Sequence, residues 1–162
     1  MTKPGAGTYA ILIALVFWGV LIGGIAYSNL IVMPAFLGDL PTSAAVVNGT
    51  YAVNEAPFWI GIHPLVVIST LIALAANWNE IPRRKLISRS LVVYILVLVV
   101  TTLYFVPELM AFVGSPNSDI PAAEWASRAR NWRVSSAIRG VLIFGLYFQM
   151  LLALLRGESK GG

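Results

Sequence analysis

The sequence predicts an all-α integral membrane protein, a four-transmembrane-helix bundle forming one domain over residues 1–162. Three observations carry that expectation. The chain is 58% hydrophobic and only 11% charged, with a mean hydropathy of +0.81, whereas a soluble domain carries about 25% charged residues. Four runs approach or exceed the roughly 20 apolar residues needed to cross a bilayer. Lysines and arginines flank those runs instead of forming a block, so the net charge of +4 reads as the pattern of a membrane protein and not as a nucleic-acid surface. The lipid bilayer is the expected partner, and nucleic acid is not.

The first run, "TYAILIALVFWGVLIGGIAYSNLIVM" (8–33), is longer than the roughly 7–15-residue apolar region of a signal peptide and lacks a cleavage site, so it is read as a retained span. Within it Gly19 and Gly23 form a GxxxG pattern. Small residues at this spacing let helices approach closely, here inside the bundle or, alternatively, across a homodimer face. The following loop, 34–57, contains Asp39 and Glu55 but no lysine or arginine. Its "PTSAAVVNGTYAVNEA" stretch has room for a short interfacial helix.

The second span, 58–78, is introduced by Asn54 as a cap and Pro57 as a first-turn proline. A basic loop, 79–89, carries Arg83, Arg84, Lys85 and Arg89. The third span, 90–113, is rich in β-branched residues, but lipid offers backbone amides no partner and so imposes a helix. The fourth, 136–155, is the apolar part of a helix expected to start near Ile120. There Ser118 or Asp119 is the cap, Pro121 lies in the first turn and Glu124 sits at the positive end of the dipole. Trp18, Trp59, Trp78, Tyr9 and Tyr147 are read as interfacial anchors. Lys3, Arg156 and Lys160 share a side with the basic loop, so the positive-inside rule places both termini in the cytoplasm. The expected location is a multi-pass position in a bacterial inner membrane.

Against this background the stretch "EWASRARNWRVSSAIRG" is unusual, because it carries Arg128, Arg130, Arg133 and Arg139 on the outer side. Arg139 is 17 residues before Arg156, or about 25 Å up the helix from its cytoplasmic end. The same reckoning from Trp78, Arg89 and Tyr9 sets His63 at about 22 Å, Glu108 at about 28 Å and Asn29 at about 30 Å. One polar residue from each span is thus expected in the outer third of the hydrocarbon. Pro64 and Pro107 would free the carbonyls of Ile60 and Leu103 at that level. Trp125, Arg128, Trp132, Ser135 and Arg139 share a helical face that Arg130 and Arg133 do not. Ionisable groups at this depth are costly and mark function by default. The alternative is a structural ion pair between Glu108 and Arg139.

A first span ending in "AYSNLIVMP", an outer loop free of positive charge and a last helix entered through Trp125, Arg128, Trp132, Ser135 and Arg139 resemble the anthrone oxygenase-like family of small four-span membrane proteins. Trp132 and Arg139 fit best, while Ser135 and Ser136 stand where a histidine is common. The resemblance implies a four-helix bundle and, for some members, cofactor-free oxygenation of polycyclic phenols.

Three functions compete. The first is a pocket near the outer face for a small lipophilic, phenolic or anionic ligand, possessing or lacking oxygenase-like chemistry. His63 and Glu108 are its candidate general bases. Arg139 and Arg128 are its candidate oxyanion forks, with Trp132, Asn29, Ser135 and Tyr104 as further ligand contacts. The second is a non-catalytic subunit or assembly factor bound to a membrane-protein partner. The third is a haem or pigment protein. With His63 the sole histidine and no cysteine, a methionine such as Met33 or Met110 would have to complete the haem ligation. No metal site and no other cofactor are expected.

Overall fold

The computed structural model describes residues 5–156, so Lys3 and Lys160 lie outside the described residues. Four helices are long and apolar enough to cross a membrane: α1 (Ala6–Leu37), α2 (Ala56–Ala76), α3 (Ile81–Val113) and α4 (Ala122–Leu155). No strand occurs among the described residues. Each helix packs on its two sequence neighbours, with α4 closing back on α1. Packed antiparallel in sequence order, the four helices form an up-down-up-down bundle.

The helices outrun the apolar windows. The 83–89 stretch is not loop: α3 begins at Ile81, with Pro82 tolerated in its first turn. Only residues 77–80 separate it from α2. α4 starts at Ala122, two residues after the expected position, and Pro121 stands just before it instead of inside its first turn. The backbone is satisfied by helix outside hydrocarbon as well as in it, so hydropathy windows mark the membrane part and not the helix ends. Asn54 does accept the Ala56 amide at 3.1 Å, one residue from the expected capping geometry. In the first loop the expected short helix is a 3₁₀ turn, Thr42–Val46.

α1 and α3 each contain a π turn, Ser28–Val32 and Thr101–Phe105. Pro34 and Pro107 stand two residues beyond these turns. In each case the amide just before the proline reaches back five residues, Met33 to Ser28 and Val106 to Thr101. A proline has no amide to give the carbonyl four residues behind it, and the wider turn lets the helix continue past that gap.

Above and below these turns lie two separate apolar clusters. The one nearer the α2–α3 turn, called inner for that reason alone, is built on Trp18, Leu21, Val66, Tyr94, Ile143 and Met150 among others. The outer one joins the ends of α1, α3 and α4 to the first loop through Phe36, Leu40, Ala44, Phe112, Trp125 and Trp132. Trp18 is therefore no interfacial anchor. It is fully buried, and its indole donates to Thr70 Oγ1 at 3.0 Å. Trp78 and Tyr9 remain well exposed, as anchors should be.

The GxxxG reading also needs correction. A Cβ at Gly19 or Gly23 would meet nothing within 4 Å, whereas one at Gly24 would strike the Phe58 ring. The close approach of α1 to α2 is thus set one residue, about 100° of helical turn, from the expected face. At the opposite end Gly7 lies against Asn77, whose side chain donates to the Gly7 carbonyl at 3.0 Å. Arg83 is buried there too, 2% exposed, and donates to Thr8, Asn77 Oδ1 and the Leu154 carbonyl.

Candidate functional site

The face expected on α4 is formed as expected: Trp125 and Trp132 are buried, Arg128, Ser135 and Arg139 are partly buried, and Arg130 and Arg133 are exposed. What the face meets differs. Gln149 donating to Leu86 and Trp132 donating to Phe105 fix the antiparallel register of α3 and α4. In that register Arg139 faces Thr101 and Glu108 faces Arg128. Glu108 and Arg139 therefore do not form the expected ion pair. The depth reckoning placed them together because its two zero points are not level. Arg89 lies well inside α3, which begins at Ile81, while Arg156 follows the last residue of α4.

Polar residues thus divide into two groups. In the outer group Arg128 Nε and Nη2 donate to Glu108 Oε1 and Oε2 at 2.7 and 2.8 Å. The guanidinium of Arg128 also lies 4.6 Å from the Trp125 ring centroid. Both Glu108 oxygens face one fork, which suits a strut better than a general base. Trp132 is 4% exposed and spends its N–H on the Phe105 carbonyl at the end of the π turn, so its contribution is packing.

The inner group centres on Arg139. Its Nη1 donates to Thr101 Oγ1 at 3.1 Å and its Nη2 to Ser136 Oγ at 3.2 Å. The guanidinium carbon lies 3.9 Å from the Phe105 ring centroid, a cation–π contact. Among the described residues no carboxylate forms an ion pair with it. His63 Nδ1 stands 2.7 Å from the Tyr94 hydroxyl. The Tyr94 ring packs 4.8 Å from Trp18, and His63 stacks on Trp59 at 5.8 Å.

Beside Arg139 a groove of about 530 Å³ runs between α3 and α4. Its walls are almost wholly apolar, and Arg139, Ser135 and Tyr104 turn little polar surface toward it. Asn29 contributes nothing to this group, because its side chain returns to the Ile25 carbonyl of its own helix at 2.9 Å. The neighbouring Ser28 is the buried one, and it donates to Glu55 at 3.0 Å. Met33 packs in the outer cluster and Met110 is exposed. Among the described residues no three His, Cys, Asp or Glu side chains gather as a metal ion would require.

The structure therefore brings Arg139, Ser135 and Tyr104 to one groove, sets His63 against Tyr94 and Trp59, and leaves Glu108, Arg128, Trp132 and Asn29 elsewhere. Sequence reasoning missed Tyr94, Thr101, Phe105 and Ser136. Tyr94 had a usable signal, since a phenol in the middle of "SLVVYILVLVV" must find a hydrogen-bond partner. Thr101 and Phe105 had none, because their place depends on the π turn. No family model, curated protein or solved structure matches the chain.

Proposed function

We propose that the chain is a four-span membrane protein that binds a small lipophilic anion or phenol at Arg139. The observation that carries this reading is a partly buried guanidinium that, among the described residues, meets only neutral groups: Thr101, Ser136 and the Phe105 ring. A fixed cation in low dielectric gains most from an anionic partner, and the planar fork of arginine suits a carboxylate or phenolate. Equilibrium binding of 2-naphthoate to the protein in lipid nanodiscs tests it. Saturable binding should weaken at least tenfold in Arg139→Gln. Binding indifferent to that change, or no binding at all, refutes the reading.

In the same proposal the helices cross a bacterial inner membrane with both termini in the cytoplasm and the Arg139 level toward the outer face. The support is the contrast between Arg84, Lys85 and Arg89 and a first loop without lysine or arginine. Reporter fusions at Gly162 and Asn48 should give opposite readouts.

A catalytic version is favoured by one observation, the 2.7 Å contact of His63 Nδ1 with the Tyr94 hydroxyl. In it His63 would take the phenolic proton while Arg139 holds the phenolate, and dioxygen would convert the anthrone ring methylene to a carbonyl, its second oxygen leaving as water with the two methylene hydrogens. This is the chemistry that the anthrone oxygenase-like resemblance implies. Oxygen uptake on adding an anthrone, abolished in His63→Ala while naphthoate binding persists, distinguishes an enzyme from a binding protein. The subunit alternative draws on the open Gly19–Gly23 face, and co-purification of a partner in mild detergent tests it.

A further inference from the structure

Two cations near the start of α3 have no use inside the bundle. The core-facing stripe of that helix runs through Arg83, Ile87, Ser90, Tyr94 and Val97, all buried. Lys85 and Arg89 are exposed, and each stands two residues, about 200° of helical turn, from a buried one. Among the described residues neither side chain makes a hydrogen bond or an ion pair. Arg84 beside them is engaged, since it donates to the Trp78 carbonyl at 3.0 Å and lies 5.1 Å from the Trp78 ring. Glu80, the one carboxylate among the described residues at this end, pairs with neither Lys85 nor Arg89.

Beyond the two cations the same face turns apolar. Lys85, Arg89, Val92, Leu96 and Val99 follow at steps of four and three, so they stand one above another. The last three are 58%, 59% and 48% exposed. From Arg89 to Val99 is ten residues, or about 15 Å of helix. That is half of a hydrocarbon core about 30 Å thick. The cations therefore stand at the foot of an apolar stripe as long as one leaflet. Trp78, well exposed in the adjoining turn, has the amphipathic ring that settles at headgroup level. Helical side chains lean toward the N-terminus of their helix, so Lys85 and Arg89 both reach toward that level along their apolar stems.

We infer that Lys85 and Arg89 together hold the phosphate of an anionic phospholipid, whose acyl chains lie along Val92, Leu96 and Val99. The two residues are one turn apart, about 6 Å, so a guanidinium fork and an ammonium meet the free oxygens of one phosphodiester. Phosphatidylcholine has the same phosphate but brings a cation of its own up to the pair. Acyl chains gain little by exchanging lipid neighbours for an apolar helix face, so discrimination resides in the charge. Each basic residue near the surface is worth about fivefold in affinity for anionic lipid, and the pair should give a preference of at least tenfold. The inference rests on the four-span reading above and is independent of any ligand at Arg139. In the orientation proposed there, the lipid belongs to the cytoplasmic leaflet.

The chain has no cysteine, so Val92→Cys accepts a single bimane probe on the stripe, just beyond Arg89. In phosphatidylcholine nanodiscs, quenching of the probe by phosphatidylglycerol with a nitroxide near the top of one chain is compared with quenching by equally labelled phosphatidylcholine. The anionic tracer should quench at a concentration at least tenfold lower. Lys85→Gln combined with Arg89→Gln should bring that ratio below twofold. Arg130→Gln combined with Arg133→Gln removes the same charge from exposed positions at the far end of the bundle, and should leave the ratio unchanged. If the first pair fails to fold, Lys85→Gln alone takes its place and should lower the ratio at least threefold.

Equal quenching of the parent by both tracers overturns the inference and leaves the four-span reading standing. Quenching by neither overturns that reading, and the inference with it. An equal fall in the two paired variants assigns the preference to net charge and overturns the site. Inorganic phosphate that abolishes the preference at constant ionic strength also overturns it, since the occupant is then a free anion and not a lipid.

Discussion

Replacing Glu108 by Gln separates two accounts of the charges on α4. In the structure Glu108 accepts two charge-assisted hydrogen bonds from Arg128, at 2.7 and 2.8 Å. The side chains keep 29% exposure for Arg128 and 21% for Glu108. That exposure decides the magnitude. Fully exposed ion pairs are worth about 0.2–1 kcal/mol, while breaking a buried pair costs about 3–5 kcal/mol. A bidentate, part-exposed pair falls between, at about 1–2 kcal/mol of coupling. The assay is a double-mutant cycle on unfolding in detergent, with Glu108→Gln, Arg128→Gln and both together. The double variant should recover about 1–2 kcal/mol relative to the sum of the singles. A parallel cycle with Arg139→Gln should be additive to within about 0.5 kcal/mol, since Arg139 bonds Thr101 and Ser136 while Glu108 bonds Arg128. Coupling of Glu108 to Arg139 exceeding its coupling to Arg128 would overturn the register of α3 against α4.

Two further outcomes follow from contacts of single residues. Gly7→Ala should destabilise by about 1–3 kcal/mol, because its Cβ would stand 2.6 Å from Asn77 Oδ1 and 3.2 Å from the Ala76 carbonyl. Gly23→Ala, which meets nothing, should be neutral or stabilising by up to about 1 kcal/mol. Thermal unfolding of the two variants side by side checks the contrast. Among the arginines, Arg139→Lys should weaken naphthoate binding several-fold, since lysine lacks the fork that bridges Thr101 and Ser136. Arg130→Lys and Arg133→Lys, both at exposed positions, should leave binding unchanged, and the reverse pattern would mean that α4 is turned the wrong way.

Helical phase was readable from the chain, and helical register was not. The face through Trp125, Arg128, Trp132, Ser135 and Arg139 follows from a fixed 100° step, so spacing alone separates it from Arg130 and Arg133. Which residue of α3 stands opposite each position depends on how two helices slide past each other. In lipid no contrast of polar and apolar faces fixes that sliding. It is set by particular contacts such as Gln149 with Leu86 and Trp132 with Phe105. Glu108 was consequently assigned to the wrong arginine. Trp18 was misread for a related reason, since a tryptophan in an apolar run is equally plausible on either side of the helix until Thr70 is known to face it. Of the two π turns, the one before Pro107 was legible only as a proline in the wrong place for a straight helix, the one before Pro34 gave no signal, and Pro64 sits in a continuous α-helix.

Arg83 joins the beginning of the chain to its end. Its guanidinium bonds Thr8 near the start of α1, Asn77 at the close of α2 and the Leu154 carbonyl two residues before the described chain stops. A ribosome delivers those partners at very different times. When the α2–α3 turn emerges, Leu154 has not been made, and the side chain has only part of its final environment. In the orientation proposed above it would then sit among lipid headgroups as one of the positive charges that hold the turn in the cytoplasm. Once α4 arrives, the same charge would be covered and would fasten the bundle at its base, where it is 2% exposed and bonds the Leu154 carbonyl. One arginine would thus direct insertion early and record its completion late.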